Sequence, residues 1–356
     1  MHNIGLIGYG TMGGGYHKDS LTRDDIDLRL SAVYDIREER RELARAKGFN
    51  VYDTLEEFFA SKAFEMVIIA VPNNNHCPLA CMAMEAGYHV MVEKPAAMSC
   101  AEIEKMIEVS KKCGKIFTVH HNRRWDRDYL IVKDVLSQGV LGKLHTIESR
   151  VHPLTSEGGG RTGWRLIKSH GGGMFLDWGI HMLDQMLLLI DEPLVSVYAN
   201  FASLRGHEID DFSRIVLTYE SGLNAVVEVS TFTPLAMPRY YIVGDQGALT
   251  VDKVRDGKCH IRRIAESHYE DREYDMYTVD TNTKLPAKHF VIDKIEEYDY
   301  PAEPPRQDWA INLYRNLGEV LDGKAELEVK PEQVLHCFRV IEAAIESAEN
   351  HRVVLF

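Results

Sequence analysis

The stretch Asn3-Ile4-Gly5-Leu6-Ile7-Gly8-Tyr9-Gly10-Thr11-Met12-Gly13 decides the fold. A short apolar run ends in Gly8-x-Gly10-x-x-Gly13, the spacing of a strand that turns tightly into a helix. Glycines there let the backbone turn and approach a pyrophosphate, and the helix start offers amide N–H groups to its charge. Alone the pattern is weak, and it could be no more than a structural turn. Its surroundings supply the context. The run "LRLSAVYD" reads as a second strand ending in Asp35, about 20 residues beyond Gly13, where a carboxylate suits ribose hydroxyls. Arg37, Arg40 and Arg41 follow, and one of them could stack on adenine or hold a 2′-phosphate. The reading favours NAD and leaves NADP possible.

Outward from this point, strand and helix signals alternate. "REERRELARAKG" is a charged helix closed by Gly48, and "EMVIIAV" is a continuous apolar strand covered on both faces. "HCPLACMAMEAG" is helical, "YHVMVEKP" is a strand, and Ser99 with Glu102 forms a capping box ahead of "AEIEKMIEVSKKCG". "KIFTVHHN" is a further strand. The expected fold class is α/β, with a doubly wound parallel sheet of Rossmann type over residues 1–122.

Beyond Asn122 the texture changes. The runs "KLHTIESRVH", "VSVYANFASL", "FSRIVLTYE", "LNAVVEVSTF", "RYYIVG" and "ALTVDKV" are strand-like and joined by short turns. They predict an α+β domain over 123–356 with a large open, mostly antiparallel sheet. The segment 255–305 is charged and rich in tyrosine and is left unassigned. Two helices close the chain.

The chain has 356 residues, 45% hydrophobic and 27% charged, with a formal net charge of −13. That balance argues against nucleic acid or an anionic membrane as partner. No secretory signal and no uninterrupted membrane-spanning run is read. Six cysteines form no CxxC pair and read as reduced thiols, so the expected compartment is the cytoplasm. His76, Cys77 and Cys81 invite a zinc reading, but no second ligand pair follows at suitable spacing. No metal is expected.

The run "GGGMFLDWGIHMLDQMLLLI" from Gly171 is an apolar helix carrying Asp177, His181 and Asp184. Four residues apart on a helix, Asp177 and His181 share a face. Asp177 could accept a hydrogen bond from His181 and orient its ring, and a histidine near neutrality suits general-base work. The plainer alternative is a core histidine satisfied by a neighbouring Asp. Asp184 is assigned a structural role.

"GYGTMG", "VPNNNH" (71–76), "VEKP" (92–95), "HHNRRW" (120–125), "GWR" (163–165) and "DWGIH" (177–181) occur in order. Together they resemble the glucose–fructose oxidoreductase / inositol dehydrogenase / MocA family, over most of the chain to about residue 250. The resemblance implies a nicotinamide at the junction of the two domains, with Lys94, Asp177 and His181 as catalytic residues. The cofactor contacts it implies are Gly8, Gly10, Thr11, Met12 and Gly13, then Asp35, Ile36 and Arg37, then Val71, Pro72, Asn73 and His76. Glu93, Lys94, Asn122, Trp164 and Arg165 complete that set. Substrate would meet Lys94, Arg123, His152, Asp177 and His181. The peptide before Pro95 is often cis in relatives. Gly14 and Gly15 depart from the fingerprint and suit a helix that starts late. The loop Glu157–Gly163 is a candidate lid.

The expected reaction is reversible, NAD(P)-dependent oxidation of a secondary alcohol of a polyol, sugar or glycoside. A cofactor-recycling sugar oxidoreductase with tightly held dinucleotide is the alternative enzyme. A dinucleotide- or sugar-sensing regulator is the non-enzymatic one. The absence of the N-terminal arm found in some relatives suits an exchangeable dinucleotide. By analogy with open sheets of this kind, a homodimer or homotetramer is expected.

Overall fold

The computed structural model describes residues 1–152, 163–254, 258–277, 282–301 and 309–356. Its first sheet contains β1 (His2–Ile7), β2 (Leu28–Tyr34), β3 (Asn50–Val51), β4 (Met66–Ile69), β5 (His89–Val92) and β6 (Phe117–Val119). All pair in parallel, in the order β3-β2-β1-β4-β5-β6. This is the doubly wound order of a Rossmann fold, whose ligands lie beyond the carboxyl ends of the strands. Every side chain of β4 is fully buried, as a strand with helices on both faces requires.

The glycine run changes the first helix. Met12–His17 forms a π-helical turn, and only Lys18–Leu21 is α-helical. Three consecutive glycines lower helical preference and admit the wider turn. A second π-helical turn, Phe175–Gly179, opens the apolar helix Ile180–Leu189.

The second sheet contains β7 (Leu144–Val151), β8 (Leu194–Ala202), β9 (Phe212–Tyr219), β10 (Asn224–Ser230), β11 (Tyr240–Gly244) and β12 (Gly247–Val251). It is completed by β13 (Cys259–Tyr277), β14 (Asn282–Asp299) and β15 (Val354–Leu355). The order is β14-β13-β12-β11-β7-β10-β9-β8-β15, and β7 with β10 is a parallel pair among antiparallel neighbours. Within the unassigned segment, the described residues form the long antiparallel pair β13–β14. Its charged, weakly alternating sequence hid two strands whose outer halves pair only with each other.

The helices Arg127–Ser137, Ile180–Leu189 and Pro331–Asn350 cover one face of this sheet. Tyr198, Val216, Val226, Glu148 and Tyr241 form a row across the other. The closing helices also return to the first sheet. Trp309–Leu321 packs against β2, and Thr118 Oγ1 donates to the carbonyl of Val329 at 2.8 Å. No helix among the described residues is long and apolar enough to cross a membrane.

Candidate active site

The carboxyl ends of β1, β2, β4 and β5 open on a cavity of about 1040 Å³. Its outer part is lined by Gly8, Gly10, Thr11, Met12, Asp35, Ile36 and Arg37. Gly8 has φ +96°, and a Cβ there would lie 2.4 Å from the carbonyl oxygen of Ala70. A Cβ on Gly13 would lie 1.8 Å from the carbonyl oxygen of Gly8. Gly13 is thus needed where the turn packs on itself, and it does not reach the cavity wall. Gly10 meets nothing nearer than an Arg37 nitrogen at 3.9 Å, which leaves open backbone for a phosphate. These residues fit a dinucleotide.

Asp35 is buried at the end of β2. Its carboxylate accepts the N–H of Tyr9 at 2.7 Å and of Arg37 at 2.9 Å, and so braces the glycine turn as well as facing the cavity. Arg37 and Arg40 line the same end, whereas Arg41 donates to the carbonyls of Asp35 and Ile36.

The inner end is built by four loops. Val71, Pro72 and Asn73 follow β4, and Asn73 Nδ2 donates to the carbonyl of Gly171 at 3.0 Å. Glu93 and Lys94 follow β5, and the Lys94–Pro95 peptide is cis. Asn122 and Arg123 follow β6; Asn122 donates to Tyr16 Oη at 2.7 Å, and Arg123 stacks on Trp178 while pairing with Asp126. Trp164 and Arg165 come from a turn at Gly163–Leu166.

Lys94, Asp177 and His181 meet here. Lys94 Nζ lies 2.5 Å from Asp177 Oδ1 and 2.9 Å from the Asp177 carbonyl oxygen. The expected bond from His181 to Asp177 is not formed. Asp177 sits in the π-helical turn, so the four-residue face-sharing of an α-helix does not hold, and its carboxylate turns to the ammonium instead. His181 lines the cavity and is buried; its Nδ1 has no hydrogen-bond partner. Burial, then the charges of Lys94 and Arg123 and the neighbouring His121, hold its pKa well below the ordinary value. The imidazole is neutral and can accept a proton.

Besides Gly13, two expected contacts are not brought to the cavity. His76 is buried behind the wall, with Nδ1 against the carbonyl oxygen of Pro95 at 2.8 Å and Nε2 against that of Val71 at 3.0 Å. It fastens two cofactor-side loops and has no ring nitrogen left to offer. His152 bonds Glu228 through Nε2 at 2.7 Å and accepts the N–H of Met237 through Nδ1, so its ring is committed inside the second sheet. Of the candidate lid Glu157–Gly163, residues 157–162 lie outside the described residues. Asp184 is buried against Arg124 in a two-pronged pair at 2.7 and 2.8 Å, a structural tie between the helix and the loop after β6.

Sequence reading passed over a buried network beside Lys94. Glu93 accepts from His17 and His120, and His17 bonds Tyr314 Oη. Among the described residues, ligand atoms of His17, Glu93 and His120 lie within 4.8 Å of one another, close enough for a metal ion. Both imidazoles already bond the carboxylate, so the set is satisfied without one. The one sequence hint was a Tyr-His pair directly after the glycine run; Tyr314, nearly 300 residues away, carried none.

Comparison with known proteins agrees with this fold. Residues 2–121 match a family model described as an oxidoreductase family with an NAD-binding Rossmann fold, and 129–250 match the GFO/IDH/MocA C-terminal domain. The chain is 30% identical to a myo-inositol 2-dehydrogenase of Thermotoga maritima, over 71% of this chain and 76% of the relative. It is 28% identical to the scyllo-inositol 2-dehydrogenase (NADP(+)) IolW of Bacillus subtilis, over 99% and 95%. Among solved structures, an NAD-binding protein from Listeria innocua superposes with a TM-score of 0.82 at 34% identity, covering 99% of this chain and 96% of the other.

Proposed function

The chain belongs to the GFO/IDH/MocA family of NAD(P)-dependent oxidoreductases, and on that premise we propose that it oxidises a secondary alcohol of a polyol, sugar or glycoside to a ketone, reversibly. The observation that carries this reading is the contact of Lys94 with Asp177 beside a neutral His181, at the inner end of a cavity that begins at a dinucleotide turn. Inositol and glucoside dehydrogenases among the relatives support the substrate class.

Residues 1–122 hold the dinucleotide and 123–356 shape the substrate side, with the closing helices bracing both. The nicotinamide supplies the hydride chemistry when bound. Lys94 donates a hydrogen bond to the reacting oxygen and stabilises its developing negative charge. Asp177 fixes the Lys94 ammonium, and His181 takes the hydroxyl proton. Arg123 borders the substrate position. Gly8, Gly10, Thr11, Met12, Asp35, Ile36, Arg37, Val71, Pro72, Asn73, Asn122, Trp164 and Arg165 hold the dinucleotide. NAD is favoured by Asp35, and Arg37 with Arg40 leaves room for NADP.

The exposed Tyr198 and Tyr241 on the second sheet's open face support a homodimer or homotetramer, and six unpaired cysteines suit the cytoplasm. The test is a screen of polyols, free sugars and glycosides with NAD⁺ and NADP⁺, following the absorbance of reduced nicotinamide. Substrate-dependent reduction is expected with at least one class. No reduction across all three, by a protein that binds dinucleotide, would remove the proposed reaction.

A further inference from the structure

Glu93 lines the inner cavity directly beside Lys94, yet its carboxylate does not pair with that lysine's ammonium, which goes to Asp177. Its Oε1 accepts from His17 Nε2 at 2.9 Å and from His120 Nδ1 at 3.0 Å, and its Oε2 accepts the backbone N–H of Lys94 at 3.0 Å. Behind it, Tyr314 Oη lies 2.7 Å from His17 Nδ1 and 3.4 Å from His120 Nε2. The two imidazole rings lie 4.6 Å apart, centre to centre. All four side chains are buried.

The hydrogen-bond roles fix the charge. A carboxylate accepts only, so both imidazoles must present N–H to it, and a neutral His17 then accepts the phenol hydrogen through Nδ1. Burial, with His120 close by, keeps His17 below its ordinary pKa. Burial alone would raise the Glu93 carboxyl; His120 and His17 overcome that and hold it well below the usual carboxylate range.

Two of the other cations at this end of the cavity are paired with carboxylates, and a third, Arg165, stacks on Trp164. Lys94 is matched by Asp177, and Arg123 by Asp126. The ion pairs of Glu93 are with imidazoles, and no Lys or Arg among the described residues pairs with it. A buried anion without a permanent cation is costly unless something positive answers it. The ring of an oxidised nicotinamide carries one positive charge, and the reduced ring carries none.

We propose that Glu93 is the counter-charge for the oxidised nicotinamide: its buried carboxylate, held by His17 and His120, makes the protein favour the oxidised over the reduced dinucleotide. Once the ring has taken up hydride and lost its positive charge, the contact with Glu93 no longer holds it, which speeds departure of the reduced form, so the dinucleotide exchanges between turnovers. His17, His120 and Tyr314 act through Glu93 as positioning residues. This inference rests on the nicotinamide lying beside Lys94.

The test is equilibrium binding of oxidised and reduced NAD and NADP, read from tryptophan fluorescence, since Trp164 and Trp178 line the cavity. In Glu93→Gln, Kd for the oxidised form rises about tenfold while Kd for the reduced form stays within about twofold, as loss of one charge–charge contact requires. Glu93→Asp keeps the wild-type ratio within about threefold. Equal weakening of both forms in Glu93→Gln would mean a purely structural role and overturn the proposal. Should that variant not fold, the wild type decides: reduced dinucleotide bound tenfold or more tightly than oxidised overturns it as well. If the wild type binds neither form, the proposed function itself fails.

Discussion

Lys94 Nζ touches both the carboxylate and the backbone carbonyl of Asp177, at 2.5 and 2.9 Å. Two oxygens of one residue therefore aim the ammonium, and the helix that carries Asp177 also carries His181. The pair joins the loop after β5 to the π-helical turn before Ile180, across the seam between the two sheets. Alignment of the proton-handling groups depends on that joint.

Lys94→Ala is expected to lower kcat/KM by about 10³-fold or more, the scale of a lost charge-stabilising donor. Dinucleotide affinity stays within a few-fold in the same protein. Asp177→Asn, which keeps an acceptor but not the charge, loses less, about 10–100-fold, mostly in kcat. Steady-state kinetics on one substrate check both. A Lys94→Ala enzyme with near-normal kcat/KM would take the lysine out of the reaction.

Because Lys94 helps hold the His181 pKa down, removing that charge raises it. Imidazole NMR should show His181 staying neutral in the wild type well below pH 6.5, and titrating at a higher pH in Lys94→Met. Unchanged titration would place Lys94 too far away to act on it.

Stability follows the same sign. His17, His76, His121 and His181 are buried with lowered pKa values, that of His121 at about 4 through burial despite Asp184. Between these folded values and 6.5 the unfolded chain binds more protons than the native one. Stability is present above pH 6.5 and is lost as pH falls toward 4. Urea midpoints at pH 7 and pH 5 check it, and His121→Gln should flatten the slope.

Much of this site was legible in the sequence, for identifiable reasons. Parallel strands buried on both faces leave continuous apolar runs such as "MVIIA", and a dinucleotide turn needs glycines where Cβ atoms would collide, as at Gly8 and Gly13. The expected Asp177–His181 bond does not form because helical spacing assumes α geometry, and the wide turn at Phe175–Gly179 breaks it. His76 carried the right motif but its ring is spent on Pro95 and Val71. The β13–β14 hairpin escaped because a ribbon solvated on both faces needs no apolar alternation.

A second buried ion pair sets a stability scale. Arg239 is buried and donates to Asp128 Oδ2 at 2.8 Å and Gln185 Oε1 at 2.7 Å. Asp128→Ala strands that guanidinium and should cost about 3–5 kcal/mol. Arg315→Ala, which breaks an exposed pair with Asp25, should cost far less. Urea denaturation separates the two, and equal effects would contradict the assignment of Arg239 to the core.

Cofactor choice should respond to Asp35. Asp35→Asn keeps an acceptor for Tyr9 or Arg37 but removes the negative charge, so the ratio of kcat/KM for NADP⁺ over NAD⁺ should rise about tenfold. An unchanged ratio would leave Asp35 as a brace for the glycine turn alone.

The fate of one hydrogen tests the proposed reaction most directly. A substrate deuterated at the reacting carbinol carbon, turned over with oxidised dinucleotide, should place one deuterium on the nicotinamide ring per ketone formed, read by mass spectrometry. Deuterium washed into solvent, or ketone formed without labelled dinucleotide, would contradict hydride transfer at this site.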